Sequence, residues 1–195
     1  MSANVYGLGI GPGDPELITL KALRLLQSAP VLAYPAPEHG DSLARAIVAP
    51  HLLNQQKIEI PIRMPMLQAR FPAQEVYDWA AADAGRDVAV LCEGDPFFYG
   101  SFMYLFGRLV ERFPVEVVPG VSSLTACSAM LGAPLAARND VLTVLPAPLP
   151  KAALKKRLEM TDAAAVIKVG RHYSKVLEVL QELNLAQQAC YIEHA

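Results

Sequence analysis

Two small α/β lobes built on mostly parallel sheets are what this sequence predicts, and three observations carry the prediction. Short runs of β-branched and aliphatic residues alternate with longer stretches of helical period, the pattern of strands joined by crossover helices. Several strand runs are apolar throughout, as in VAVLC at 88–92, so the sheet they form must be covered on both faces. A strand-like run caught between two prolines, within ERFPVEVVPG, offers a place for the chain to pass from one lobe to the next. The first lobe is expected over residues 1–115 and the second over 116–195.

The strands expected in order are Val5–Ile10, Val31–Ala33, Lys57–Ile62, Val88–Cys92, Val115–Val118, Val141–Leu145, Ala164–Val169 and Ala189–Ile192. The first helix is expected within Pro15–Gln27. Asp14-Pro15 supplies a capping side chain followed by a proline at the first helical position, and Leu17, Leu20, Leu23 and Leu26 fall on or near one face. Further helices are expected at Ser42–Ala49, Pro72–Ala84, Ser101–Arg112, Ser122–Leu131, Pro150–Glu159 and Ser174–Glu182. The sequence stops at Ala195, directly after a strand-like segment, so the second lobe is expected to be either truncated or finished by a partner subunit.

Composition narrows the function. A chain of 195 residues with 53% apolar content has ample material for a buried core. The formal net charge is -2 and the cations are scattered, which argues against a nucleic-acid partner. MSANVYGLGIG lacks the basic start and apolar run of a signal peptide, and no stretch approaches ~20 uninterrupted apolar residues. A cytoplasmic protein with no membrane partner is expected. Cys92, Cys127 and Cys190 form no CxxC, and the histidines show no ligand spacing, so no metal site is expected.

Three segments carry the chemistry. GLGIGPGDP, residues 7–15, follows the first strand, and its glycines let the backbone turn sharply and approach a ligand. The G-x-G-x-x-G spacing of a dinucleotide loop fails, because it needs glycine at Pro12 or at Asp14. CEGDPFFYGS, residues 92–101, ends another apolar strand, where α/β proteins bind ligands; Asp95 suits a cap or a ligand, and Phe97, Phe98 and Tyr99 suit a pocket wall or the core. VVPGVSSLTACSA, residues 117–129, ends a strand in Pro-Gly, with Ser122 and Ser123 suited to helix caps or to hydrogen bonds with a ligand. No G-x-S-x-G elbow marks a nucleophile.

GLGIGPGDPELITLKALRLL, CEGDPFFYGSFMYLFGRL and VEVVPGVSS, in this order and spacing, resemble the tetrapyrrole (corrin and porphyrin) methyltransferases over essentially the whole chain. YPAPEHGDSLAR, PLAARNDVLTVLPAPLP and IKVGRHYSKV resemble most the branch that methylates precorrin-2 at carbon 20 in cobalamin biosynthesis. The resemblance implies S-adenosylmethionine as cofactor, folded in the cleft between two α/β lobes. It places cofactor contacts at Pro12, Glu93, Gly94 and Asp95, with Phe98 nearby, at Ser122 and Ser123, and at Val169. Where many relatives have two glycines before the aspartate, this chain has Glu93-Gly94. A further contact that the family places near its C-terminal end has no counterpart here. The resemblance also implies a homodimer.

A tetrapyrrole substrate carries many carboxylates, and Arg138, Lys168, Arg171, His172 and Arg63 are candidates to receive them, Arg in bidentate fashion. Tyr34 and Tyr99 are candidates to touch the macrocycle or to pack in the core. Methyl transfer from a sulfonium needs alignment more than acid–base machinery, and no catalytic base is assigned. Other readings are another corrin-ring methyltransferase such as the cobalt-factor II enzyme, a nicotinamide-dependent oxidoreductase, and a non-catalytic ligand-binding module.

Overall fold

The computed structural model describes residues 3–53, 56–63 and 85–193. Within the first part of the chain, β1 (Val5–Gly9), β2 (Val31–Ala36), β3 (Ile58–Arg63), β4 (Val88–Cys92) and β5 (Val115–Val118) form one parallel sheet in the order β3-β2-β4-β1-β5. Farther on, β6 (Leu142–Pro146) and β7 (Ala163–Ile167) form a separate parallel pair. The fold is α/β, as the alternating pattern predicts. The chain divides into two units, the first running to Ser123 and the second spanning Leu124–Glu193.

The period of two along each strand sorts its residues between two cores. Val5, Val88 and Val90 face one side and join Phe102, Leu105 and Leu109 of helix α3 (Phe102–Leu109). Leu8, Ala89 and Leu91 face the other. They join Leu25 and Leu26 of helix α1 (Leu20–Ser28) with Ile47 and Val48 of helix α2 (Leu43–Val48). Apolar side chains on both faces are what a sheet sandwiched by crossover helices requires. Gly7 belongs to this packing: a Cβ there would lie 2.5 Å from Cζ of Phe102, whose ring is 1% exposed and fills that space.

The expected boundary between residues 115 and 116 falls inside β5. That strand pairs with β1 from Val5↔Val115 to Leu8↔Val118, so its ladder holds it in the first unit. The expected Pro15–Gln27 helix divides in two. Asp14 accepts from the Glu16 amide at 2.8 Å and caps only a 3₁₀ turn, Pro15–Leu17, while Thr19 caps α1 through the Ala22 amide at 3.3 Å. Ile18 and Thr19 are extended, which shifts the helical phase: Ala22, Leu25 and Leu26 are buried and Leu20 is 85% exposed. The expected helix at Pro72–Ala84 lies outside the described residues.

In the second unit, helix α4 (Ser123–Leu131) is followed by β6, helix α5 (Lys151–Leu158), β7 and helix α6 (Tyr173–Glu182). Leu145, Leu154, Leu158, Val176 and Val179 form its core, with Val166 and Val169 packed against them. Lys151 and Lys155 pair with Glu182 at 2.7 and 2.9 Å and hold its carboxyl down to about 2, tying α5 to α6 at the surface. β7 ends at Ile167 rather than Val169 because Lys168 adopts a left-handed φ of 57°, which no strand continues through. Ala189–Ile192, expected as a strand, follows a 3₁₀ turn at Ala186–Gln188 and joins no ladder among the described residues. A strand without a ladder partner leaves its backbone groups to water.

Phe102→Ala would remove the ring that covers Gly7 and leave a cavity in the first core. The expected cost is ~3–5 kcal/mol, read as an earlier unfolding transition in urea. A midpoint within error of the wild type would contradict this packing.

Candidate functional site

The C-terminal edge of the five-stranded sheet collects the loops that the sequence marks. β1 leads through residues 10–19 to α1 on one face, whereas its neighbour β4 leads through residues 93–101 to α3 on the other. Two adjacent strands whose helices depart to opposite faces leave a crevice between them, the usual ligand position in an open α/β sheet. β5, on the other side of β1, adds the turn Pro119–Gly120 and the residues up to Ser123.

Three strand ends press together here. A Cβ built on Gly9 would lie 2.6 Å from Cα of Gly120, and one on Gly120 would lie 2.7 Å from Cα of Gly9. Neither backbone can yield to a side chain, so both positions require glycine. Gly11, with φ 81°, and Gly94, with φ 65°, bridge β1 and β4 in antiparallel sense: the Gly94 amide donates to Gly11 O at 2.8 Å and the Gly11 amide to Gly94 O at 3.4 Å. The side-chain direction of Gly94 is open by contrast, since a Cβ would meet only Val121 O at 3.8 Å among the described residues. The result is a rigid cradle of backbone with one unfilled side.

The same hydrogen bonds remove the dinucleotide reading. The Ile10 amide donates to Cys92 O at 3.0 Å, and the Gly11 amide is spent on Gly94. α1 begins only at Leu20, so the helix that follows the glycine loop does not start on it as a pyrophosphate site needs.

Asp95 follows Gly94. Its Oδ1 accepts from the amides of Phe97 at 2.9 Å and Phe98 at 3.0 Å, and its Oδ2 accepts from the Gly120 amide at 3.0 Å. Phe97 packs edge-on against Phe106 at 5.1 Å, while Phe98 and Tyr99 stand partly exposed, edge to face at 5.2 Å. Tyr99 holds a left-handed φ of 55°. Partial desolvation raises the Glu93 carboxyl from its usual value, and a hydrogen bond from the Ala44 amide in α2 works against that. Pro12 sits half-buried just beyond the Gly11 bridge, and Ser123 is the first residue of α4, with Ser122 directly before it.

Tyr34 and Arg63 lie on the same sheet but are engaged within the protein. The Tyr34 hydroxyl donates to Glu59 at 2.9 Å, and Arg45 grips Glu59 through Nε at 3.0 Å and Nη2 at 2.9 Å. Burial and the Glu59 carboxylate raise the Tyr34 phenol above its usual value, so it stays protonated. Arg63 Nη1 donates to Glu38 O at 2.8 Å and Pro37 O at 3.3 Å, fastening the loop between β2 and α2.

In the second unit, Lys168, Val169, Arg171 and His172 come together after the C-terminal end of β7. Burial, then Lys175 and Arg171, keep the His172 imidazole below its usual pKa, so it is neutral at neutral pH. Arg138 is not brought beside them. It lies before β6, at the opposite end of a parallel strand pair ~16 Å long, on the tip of a turn closed by Ala137 and Asp140.

The sequence pattern of this edge matches a known family along almost its full length: the model of the Tetrapyrrole (Corrin/Porphyrin) Methylases covers residues 4–195. The chain belongs to this family. It is 41% identical to a precorrin-2 C(20)-methyltransferase of Sinorhizobium over 97% of this chain and 82% of that protein. It is 44% identical to the cobalamin biosynthesis protein CobIJ of Mycobacterium bovis over 98% of this chain, and there it spans 40% of the relative's length. Among solved structures, the uroporphyrin-III C-methyltransferase of Thermus thermophilus complexed with S-adenosylhomocysteine superposes with a TM-score of 0.62. That pair is 28% identical, over 92% of this chain and 72% of the other.

The individual roles of Gly9 and Gly120 are not apparent from the sequence. The available signal was a glycine at or beyond the end of each of three apolar strands. Gly120→Ala is expected to force β1 and β5 apart at a cost of ~1–3 kcal/mol and to weaken adenosylhomocysteine binding. A variant as stable as the wild type in chemical denaturation would contradict the close approach.

Proposed function

We propose that this chain transfers the methyl group of S-adenosylmethionine to a tetrapyrrole, with precorrin-2, metal-free or carrying cobalt, as acceptor at carbon 20. The observation that carries the proposal is the glycine cradle at the ends of β1, β4 and β5, with room in the side-chain direction of Gly94 among the described residues. A cradle of this kind suits a ligand held mainly by backbone groups. In this reading the loops of Pro12, of Glu93, Gly94 and Asp95 with Phe98, and of Ser122 and Ser123 hold the cofactor. Val169 is a further cofactor contact in this reading. The names of the relatives support a corrin precursor as the methyl acceptor.

Bound adenosylmethionine supplies a methyl group that its sulfonium already makes electrophilic. The protein's task is to fix the acceptor carbon in line with that methyl, and positioning of this kind contributes ~7–11 kcal/mol in favourable cases. Aromatic faces at Phe98 and Tyr99 offer apolar surface beside the cradle, and exposed cations receive carboxylates. Lys168 and Arg171 are grouped for that purpose, with neutral His172 as a hydrogen-bonding neighbour. Arg63 acts indirectly, by holding the loop that follows β2. Tyr34 supports the same edge through Glu59. The same reading makes the protein a cytoplasmic homodimer, supported by the exposed apolar side chains of the second unit, Met130, Val141, Met160 and Tyr191. Sedimentation showing only monomer at micromolar concentration would remove the dimer.

Formation of a methylated product from precorrin-2 and from its cobalt counterpart tests the activity, and product from neither would overturn it. Arg171→Met should raise the KM for the tetrapyrrole ~10-fold, equivalent to 1.4 kcal/mol of lost binding, with the constant for adenosylmethionine nearly unchanged. Arg138→Met should change it less, because Arg138 lies at the other end of the strand pair. If Arg171→Met weakens cofactor binding and leaves tetrapyrrole binding unaltered, Arg171 belongs to the cofactor site instead.

A further inference from the structure

Asp95 is an acid at the rim of the cradle, in a loop that the family resemblance gives to the cofactor. Its geometry turns it inward. Both carboxylate oxygens accept from the protein's own amides: Oδ1 from Phe97 and Phe98, Oδ2 from Gly120, all between 2.9 and 3.0 Å. The bonds to Phe97 and Phe98 are local and wrap the loop after β4. The bond to Gly120 spans 25 residues and reaches the turn after β5. β4 and β5 are not neighbours, since β1 runs between them, so this one carboxylate ties loops from strands about 9–10 Å apart.

We infer that Asp95 is a positioning residue, which sets the spacing of the Gly94 and Gly120 backbones across the end of β1 and leaves the cofactor to bind those backbones. The inference rests on the adenosylmethionine reading above. A carboxylate is the side chain that serves here, because it accepts at both oxygens and carries no donor to collide with an amide N–H. Asparagine in its place keeps the size and one acceptor, but its NH₂ would face either Gly120 or the Phe97–Phe98 pair. The tie would then hold one loop and release the other. Gly94 is held on one side by its bridge to Gly11 and on the other by the loop that Asp95 closes. Loosening Asp95 therefore widens the cradle without removing any group the cofactor touches.

The test uses Asp95→Asn in the full chain with two measurements. In the free protein, hydrogen exchange should speed up ~10-fold or more at one end of the tie, either at the Gly120 amide or at the Phe97 and Phe98 amides, because one end loses its acceptor. The dissociation constants for adenosylhomocysteine and for methylthioadenosine, which lacks the amino-acid end, should both rise ~10-fold. With precorrin-2 and adenosylmethionine, kcat should fall as well as KM rise, because the methyl is less well aligned. Unchanged exchange at Phe97, Phe98 and Gly120 together with weaker binding would make Asp95 a direct ligand and overturn the inference, as would a loss confined to adenosylhomocysteine. If Asp95→Asn does not fold, Asp95→Glu keeps the charge and both oxygens but changes the reach. It should show the same two changes at smaller amplitude, and wild-type behaviour in both would overturn the inference. If the wild type binds neither nucleoside, the cofactor reading fails, and exchange at Phe97, Phe98 and Gly120 still decides whether Asp95 is the tie.

Discussion

Everything at the candidate site depends on how closely three backbones approach at the C-terminal edge of the sheet. Parallel strands ordinarily separate by about 4.8 Å, and the loops that leave them diverge. Here the chain after β5 turns back over Gly9 until Gly120 and Gly9 have no room for a Cβ. That approach requires glycine on both chains, and it directs the carbonyl of Gly94 inward. It also leaves the Gly11–Gly94 bridge as the floor of the crevice between β1 and β4. The cost of ordering such loops falls on backbone entropy, because glycine loses more freedom on folding than any other residue. Hydrogen bonds accepted by the Asp95 carboxylate and those between the paired glycines offset that cost before any ligand arrives.

The cradle also explains how a glycine-rich loop after a first β-strand can serve something other than a dinucleotide. In a dinucleotide loop the glycine amides stay available for phosphate, and a helix starts at once. In this chain the amides of Ile10 and Gly11 are paired across to β4, and the helix is delayed to Leu20 by the 3₁₀ turn that Asp14 caps. The loop has become part of the sheet's extension. What it offers a ligand is shape, together with the open side of Gly94.

Much of the fold was legible because β1, β2 and β4, the inner strands that carry most of the core, are short apolar runs with punctuation at their ends. Two-sided burial follows from that composition alone. The order β3-β2-β4-β1-β5 was not legible, since the pairing of Val5 with Val88 and Val115 joins residues 83 and 110 positions apart and leaves no local trace. For the same reason β5 reads as the start of a new lobe until its ladder to β1 is seen. Local competition misleads too: Asp14-Pro15 is a sound helix start, but Thr19 five residues on is a second one, and it begins the longer helix. Of the site, the three loops were legible and their contacts were not. Asp95 looks like a ligand in sequence because its acceptors' partners, Phe97, Phe98 and Gly120, are backbone amides that every residue but proline possesses.

Charge placement follows a similar logic. In the first unit, Arg45 is engaged by Glu59 and Arg63 by the carbonyls of Pro37 and Glu38. In the second unit, Lys168 and Arg171 fall within four residues of the end of β7. Lys168 sits there with a left-handed φ of 57°, a backbone shape that glycine or asparagine would adopt with less strain. That conformation turns the chain out of its ladder with β6 after Ile167, so the end of β7 is set by the backbone at Lys168.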